Sequence, residues 1–321
     1  MRIFHGIGVV LLALAVLIGV PTTSNAAHLP AAQPETQPAE DLFITSLREK
    51  EYGSGTFNVD TTLQVTNAFT RTLIRFESDG YTVYGFMNTP KGAGPFPIVL
   101  VLHGYVNPRS YRTPYGYTQR YADYLARQGF LVIHPDYRGH GRSEGVTEGP
   151  GNLFRIGYAT DVLNLIEFVK RMPNANPGAI GLLGHSMGGG IALRVMTVSK
   201  DVKAAVLYGS MNADEKLNTY QIKNVFRGVS YLPEDDVPIE LWDKISPVTY
   251  LGDITAAVEI HHGERDPQVP VGWGRDLRDT LTTLGKPVSY FEYPRAGHSL
   301  QGRDYTTMMA RVTAFYRENL R

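Results

Sequence analysis

The chain has no cysteine in 321 residues, which excludes disulfides, thiolate metal sites, a thiol nucleophile and a lipoprotein anchor. Stability has to come from packing. Net charge is also missing: 31 Lys and Arg balance 31 Asp and Glu without any run of like charge, so neither a nucleic acid nor an anionic membrane is expected as a partner. No internal repeat of solenoid or propeller period is present. No apolar run reaches the ~20 residues that a spanning helix needs. The nearest, Ile7 to Val20, is about fourteen residues long, so no stable membrane span is expected.

That short run sits between Met1-Arg2 and the small-residue stretch Pro21-Thr22-Thr23-Ser24-Asn25-Ala26, the three-part pattern of an export signal. Residues 1–26 are expected to be a signal peptide and the mature chain to be secreted or held in the periplasm or cell envelope. An uncleaved N-terminal anchor is the alternative. Residues 27–45, rich in Pro, Ala and Gln from His28 to about Glu40, are expected to form a flexible tether. With 43% apolar residues, the remainder, 46–321, fits one large domain.

Arg71 to Phe76 and Tyr81 to Met87 alternate in strand fashion around Ser78-Asp79-Gly80, which predicts an antiparallel hairpin. Beyond it the pattern changes to short continuous apolar runs at 97–102, 130–133, 180–183, 204–207 and 256–260. Such strands fit a sheet buried on both faces, hence parallel and flanked by helices. The gaps predict helices near 117–128, 159–170, 187–198, 271–284 and 304–319. The polar stretch 212–250, with scattered Phe226, Tyr231 and Trp242, breaks this alternation and is expected to be an inserted cap over the C-terminal edge of the sheet. The fold class is α/β, with a mostly parallel central sheet flanked by helices.

Immediately after the run ending at Leu183 comes Gly184-His185-Ser186-Met187-Gly188-Gly189-Gly190. Strand, G-x-S-x-G and apolar helix, in that order, make a nucleophile elbow: a sharp turn that exposes the Ser186 hydroxyl near the unpaired N–H groups of a helix start. A Walker loop would need Lys-Ser/Thr after its glycines and a dinucleotide loop G-x-G-x-x-G; neither matches. Serine needs a base, and the base an orienting acid, in the chain order Ser, acid, His. Asp266, past the run 256–260, and His298, past the strand at 288–293, stand at such positions. Asp214 and Glu264 compete as acid; His134, His140, His261 and His262 compete as base. His185 is expected to shape the elbow. The oxyanion donors are expected to be the backbone N–H groups of Met187, after the nucleophile, and of Tyr105, in the loop after the strand 97–102.

The ordered set LHGY (102–105), DYRGHGRSEG (136–145), GHSMGG (184–189), SPVTY (246–250), HGERDPQVP (262–270) and AGH (296–298) resembles the α/β-hydrolase superfamily across about residues 70–320. More narrowly it is similar to the catalytic domain of the prolyl oligopeptidase-like serine hydrolases (peptidase S9 type) and to dienelactone-hydrolase-like esterases. The resemblance implies an α/β-hydrolase fold, a catalytic triad and acyl transfer without metal or organic cofactor. Two departures from the peptidases favour small, open substrates: about forty-five residues between signal and hydrolase domain leave no room for a β-propeller, and His103 stands where those peptidases carry an oxyanion tyrosine. The expected activity is that of a carboxylesterase acting on a small-molecule ester; the alternative is a serine-type peptidase or amidase on a short acylated or peptidic substrate. Arg138 and Arg142 are expected to hold their own loop rather than a substrate carboxylate.

Overall fold

The computed structural model describes residues 39–114, 116–147, 152–226 and 238–321. The expected signal peptide and residues 27–38 of the expected tether lie outside them. Helix α1 (Ile44–Glu49) opens the ordered packing: Leu42 and Ile44, in the last residues of the stretch expected as a tether, are buried against Trp242 and Ile245.

Strands β1 (Phe57–Val65), β2 (Phe69–Ser78) and β3 (Tyr81–Pro90) form an antiparallel meander. Asp79 and Gly80 close the β2–β3 hairpin with φ of 51° and 81°. Positive φ at both turn residues matches the right-handed twist of the strands, and Asp-Gly is a pair that tolerates it. Strands β4 (Phe96–Leu102), β5 (Leu131–Pro135), β6 (Ala175–His185), β7 (Val202–Tyr208), β8 (Ala257–Gly263) and β9 (Val288–Tyr293) extend this into one nine-stranded sheet, ordered β1-β2-β3-β5-β4-β6-β7-β8-β9, parallel from β5 onward.

Alternation within the continuous apolar strands explains their composition. Along β4, Ile98, Leu100 and Leu102 enter one core while Val99 and Val101 enter the other. Both faces are dry, so neither set can be polar. Helices α3 (Ile156–Val169) and α4 (Met187–Val198) cover the first face, α2 (Gly116–Arg127) and α8 (Gly302–Asn319) the second, and α7 (Val271–Thr283) adds Leu277 and Leu281 to the first. The expected cap supplies α5 (Glu215–Asn224) and α6 (Ile239–Ile245); its stretch 227–237 lies outside the described residues. No helix among the described residues is long and apolar enough to cross a membrane.

A buried carboxylate ties the meander to the parallel half. Asp161 on α3 accepts hydrogen bonds from Ser78 Oγ at 2.7 Å and from Arg138 at its N (2.9 Å), Nε (3.0 Å) and Nη2 (2.7 Å). Arg138 thus holds its own loop, and Arg142 lies over the Tyr84 ring. Asp161→Asn should cost about 3 kcal/mol, because it leaves the buried guanidinium only the longer ion-pair contact to Asp79 at 3.3 Å. Urea unfolding checks this; a midpoint matching wild type would show that the network carries no stability.

Candidate active site

Strand β6 ends at His185 and α4 begins at Met187, leaving Ser186 alone to make the turn with φ 57° and ψ −119°. A non-glycine residue in that region costs of order 1–3 kcal/mol and persists only where its surroundings over-determine it. Here they do. Ser186 N–H donates to Tyr208 O on β7 at 2.9 Å, and its carbonyl accepts from Gly189 N (2.9 Å) and Met211 N (3.0 Å). The first turn of α4 also presses on the end of β4: a Cβ at Gly188 would stand 2.1 Å from Leu102 O, inside any allowed contact. Across the same crossing, a Cβ at Gly104 would meet Ser186 Cβ at 2.9 Å.

Asp266 follows β8 and His298 follows β9, and His298 Nδ1 lies 2.7 Å from Asp266 Oδ2. The other carboxylate oxygen, Oδ1, accepts the N–H groups of Gln268 (2.8 Å) and Val269 (2.9 Å). Burial penalises the charge on Asp266, but hydrogen bonds from His262 and His298 outweigh it and hold the carboxyl well below the usual range. An anion there keeps the imidazole proton on Nδ1 and leaves Nε2 as a base. Ser186, His298, Met187 and Tyr105 line one cavity of about 750 Å³.

The competing residues have other occupations. Asp214 caps α5, its Oδ1 accepting Lys216 N at 2.8 Å, and Glu264 is exposed. His261 is buried between Glu259 Oε1 (2.8 Å) and Tyr293 OH (2.9 Å). His134 and His140 are packed around His103 beneath the loop after β4, with ring centroids 5.5 and 5.3 Å from it. Burial pushes His134 to about 3 and His140 to about 4, so both stay neutral. His185 shapes the elbow: its Nε2 pairs with the His298 carbonyl at 2.9 Å and its Nδ1 with Tyr117 OH at 3.2 Å. Its burial, with repulsion from His298, lowers it to about 3.

The N–H of Tyr105 and the N–H of Met187 make no hydrogen bond among the described residues, whereas Gly104 N–H donates to Tyr117 OH at 2.5 Å. The Tyr105 side chain is 65% exposed. The loop carrying it is anchored by a residue not singled out from the sequence: buried Asp136 accepts from Tyr111 OH at 2.9 Å and from Thr113 Oγ1. Asp136 opens the DYRGHGRSEG motif directly after β5, and its hydrogen-bond partners come from the loop after β4, more than twenty residues earlier.

A strained serine at a strand-to-helix turn, an Asp–His pair from two later strand ends and a mostly parallel sheet define an α/β-hydrolase. The chain belongs to the serine aminopeptidase S33 family, which matches residues 93–294. It is 28% identical over 235 residues to the uncharacterized peptidase YuxL of Bacillus subtilis, covering 69% of this chain and 34% of YuxL. It is 28% identical over 202 residues to the lysophosphatidylserine lipase ABHD12 of Rattus norvegicus, covering 58% of this chain and 45% of that protein. The chain therefore spans between a third and a half of these curated relatives. Similar solved structures include the Pyrococcus horikoshii acylaminoacyl peptidase (TM-score 0.66, 22% identity, 79% of this chain and 42% of that one) and acetyl xylan esterase 1 from Thermoanaerobacterium sp. JW/SL YS485 (TM-score 0.66, 18% identity, 87% and 93%). At those identities the likeness is one of fold. The chain thus has both peptidase and esterase relatives within the α/β-hydrolase fold.

Burial raises Asp136 to about 7, against the opposing hydrogen bonds of Thr113 and Tyr111 and the charge of Arg142. An unfolded carboxyl titrates near 3.9, so between about pH 4 and pH 7 the unfolded chain gives up a proton that the folded chain keeps, and stability falls as pH rises. Asp136→Asn should remove that fall, which amounts to about 4 kcal/mol at most. Urea unfolding near pH 4.5 and near pH 7.5 tests the sign; parallel loss in wild type and variant would refute it.

Proposed function

We propose that the protein is an exported carboxylesterase that works through an acyl-enzyme, with Ser186 as nucleophile, His298 as base and Asp266 as the group that orients His298. The observation that carries this reading is the 2.7 Å His298–Asp266 contact placed in the same cavity as a serine held at positive φ. His298 Nε2 takes the Ser186 proton as Oγ attacks the ester carbonyl, and the anionic Asp266 stabilises the imidazolium. The N–H groups of Tyr105 and Met187 hold the developing oxyanion, each such donor being worth roughly 10²–10³ in rate. His298 then protonates the leaving alcohol and activates the water that frees the enzyme.

Support for ester over amide substrates comes from the acetyl xylan esterase, 93% of whose length aligns with this chain. The peptidase reading has its own support in the YuxL and acylaminoacyl peptidase likenesses, so both substrate classes belong in the test. Export rests on the sequence of residues 1–26; the tether that follows gives way to packed structure by Leu42 and Ile44, short of the expected boundary at 45.

The protein starting at Ala27 is expected to hydrolyse para-nitrophenyl acetate, butyrate and octanoate faster than aminoacyl para-nitroanilides, and to be labelled by a fluorophosphonate. Ser186→Ala should lose labelling and at least about 10⁴ in kcat; Asp266→Asn should lose about 10⁴ with its fold intact. Faster anilide than ester hydrolysis would move the peptidase reading forward. A folded wild type that neither turns over nor labels would end the catalytic one.

A further inference from the structure

The wall of the cavity furthest from Ser186 along α4 is polar in a way the proposed ester chemistry does not require. Met187, Gly190, Ile191 and Arg194 all line the cavity, and their spacing puts them on one face of α4. Eight residues of helix set Arg194 about 12 Å from Ser186 along the axis. Arg194 and Glu215 of α5, 2% and 6% exposed, pair there through Nη2 and Oε1 at 2.5 Å. Neither is free to turn away. Arg194 Nη1 donates to Ile245 O at 2.5 Å, Glu215 N–H donates to Ser246 Oγ at 3.0 Å, and Asn218 Nδ2 reaches Glu215 Oε2 at 3.3 Å. Arg194 Nε makes no hydrogen bond among the described residues.

Stability does not account for this arrangement. A buried ion pair gains little over apolar side chains of the same volume, and here it interrupts an apolar wall built by Met187, Ile191 and Met211. What the pair adds is a fixed donor, Arg194 N–H, beside a fixed acceptor, Glu215 Oε2, with their charges cancelling. We infer that Arg194 and Glu215 form a specificity subsite for a neutral group that both accepts and donates a hydrogen bond, a hydroxyl or amide, carried by the substrate several atoms from the scissile carbonyl. This rests on Ser186 being the nucleophile. The carbonyl sits near Ser186, the guanidinium leans back toward the start of α4 as helical side chains do, and a zigzag of ~1.5 Å bonds advances about 1.3 Å per carbon. A spacer of about six carbons spans the remaining distance. A plain alkyl chain would leave the subsite's polar atoms dry and unpaired, which a site built for hydrogen bonding penalises heavily.

The test compares kcat/KM for para-nitrophenyl hexanoate, ω-hydroxyhexanoate and monoadipate with wild type, Glu215→Gln and the paired Arg194→Met/Glu215→Met. The paired change avoids leaving one charge buried alone, and circular dichroism with cooperative melting reports folding of each variant. Wild type should prefer the ω-hydroxy ester over the alkyl ester by about tenfold or more; Glu215→Gln should shrink that ratio and the double variant should bring it to about one or below. Equal ratios in wild type and the double variant overturn the subsite while leaving the esterase reading intact. A wild-type preference for the monoadipate shows an anion site and overturns the neutral-group assignment. Absence of turnover on every ester together with absence of fluorophosphonate labelling removes the nucleophile, and this subsite with it.

Discussion

The structure turns on one close crossing, where the first turn of α4 lies against the C-terminal end of β4. Gly188 has no room for a side-chain carbon beneath Leu102 O, and Gly104 has almost none beside Ser186. Because the two backbones meet there, the chain must reverse between β6 and α4 within a single residue. That residue is Ser186, and its unusual φ follows from the crossing. The same contact brings the loop after β4 to the helix start, so that Tyr105 and Met187, whose N–H groups make no hydrogen bond among the described residues, line one cavity. Strain at one residue and the packing of two elements are thus one geometric fact.

Electrostatics around this point sorts histidines from one another. His103, His134, His140 and His185 are each buried so deeply that the charged form is disfavoured, and they serve as neutral packing or hydrogen-bonding rings. His298 differs because it borders the cavity and touches a carboxylate that stays ionised. One imidazole lies at the cavity against a carboxylate, and its neighbours are held neutral by burial.

What could be read from the sequence was whatever depends on short-range sterics or on strict periodicity. The elbow is legible because its glycines are needed within four residues of the serine, and the parallel strands because both their faces are dry. Strand β1 was not anticipated. It is an edge strand whose register shifts between Val59 and Thr62 and again before Gln64, so its alternation is broken, and Val59, Leu63 and Val65 remain exposed. The stretch 212–250 departs visibly from the strand–helix alternation, but its helices are not legible, since α5 carries Lys216, Asn218, Thr219 and Gln221 and shows no apolar stripe. Asp136 with Thr113, and Arg194 with Glu215, join residues more than twenty positions apart through single side-chain contacts, and no local pattern encodes such a choice. Asp266 and His298 can be singled out from the sequence because strand ends fix where their loops must lie, and the structure brings the two within 2.7 Å.

Ser186, Asp266 and His298 hang from the ends of β6, β8 and β9, with β7 between, so no two of them share a strand-loop unit. Their juxtaposition exists only once four parallel strands, joined by long crossovers, have come into register. Parallel pairing of that kind is slow, because the entropy of closing each crossover is lost before its contacts are gained. Helical signal can therefore recover early in refolding while the cavity is still open. The 2.7 Å contact between His298 and Asp266 becomes a clock for the last stage of assembly, and an incompletely folded chain holds Ser186 without that pair beside it.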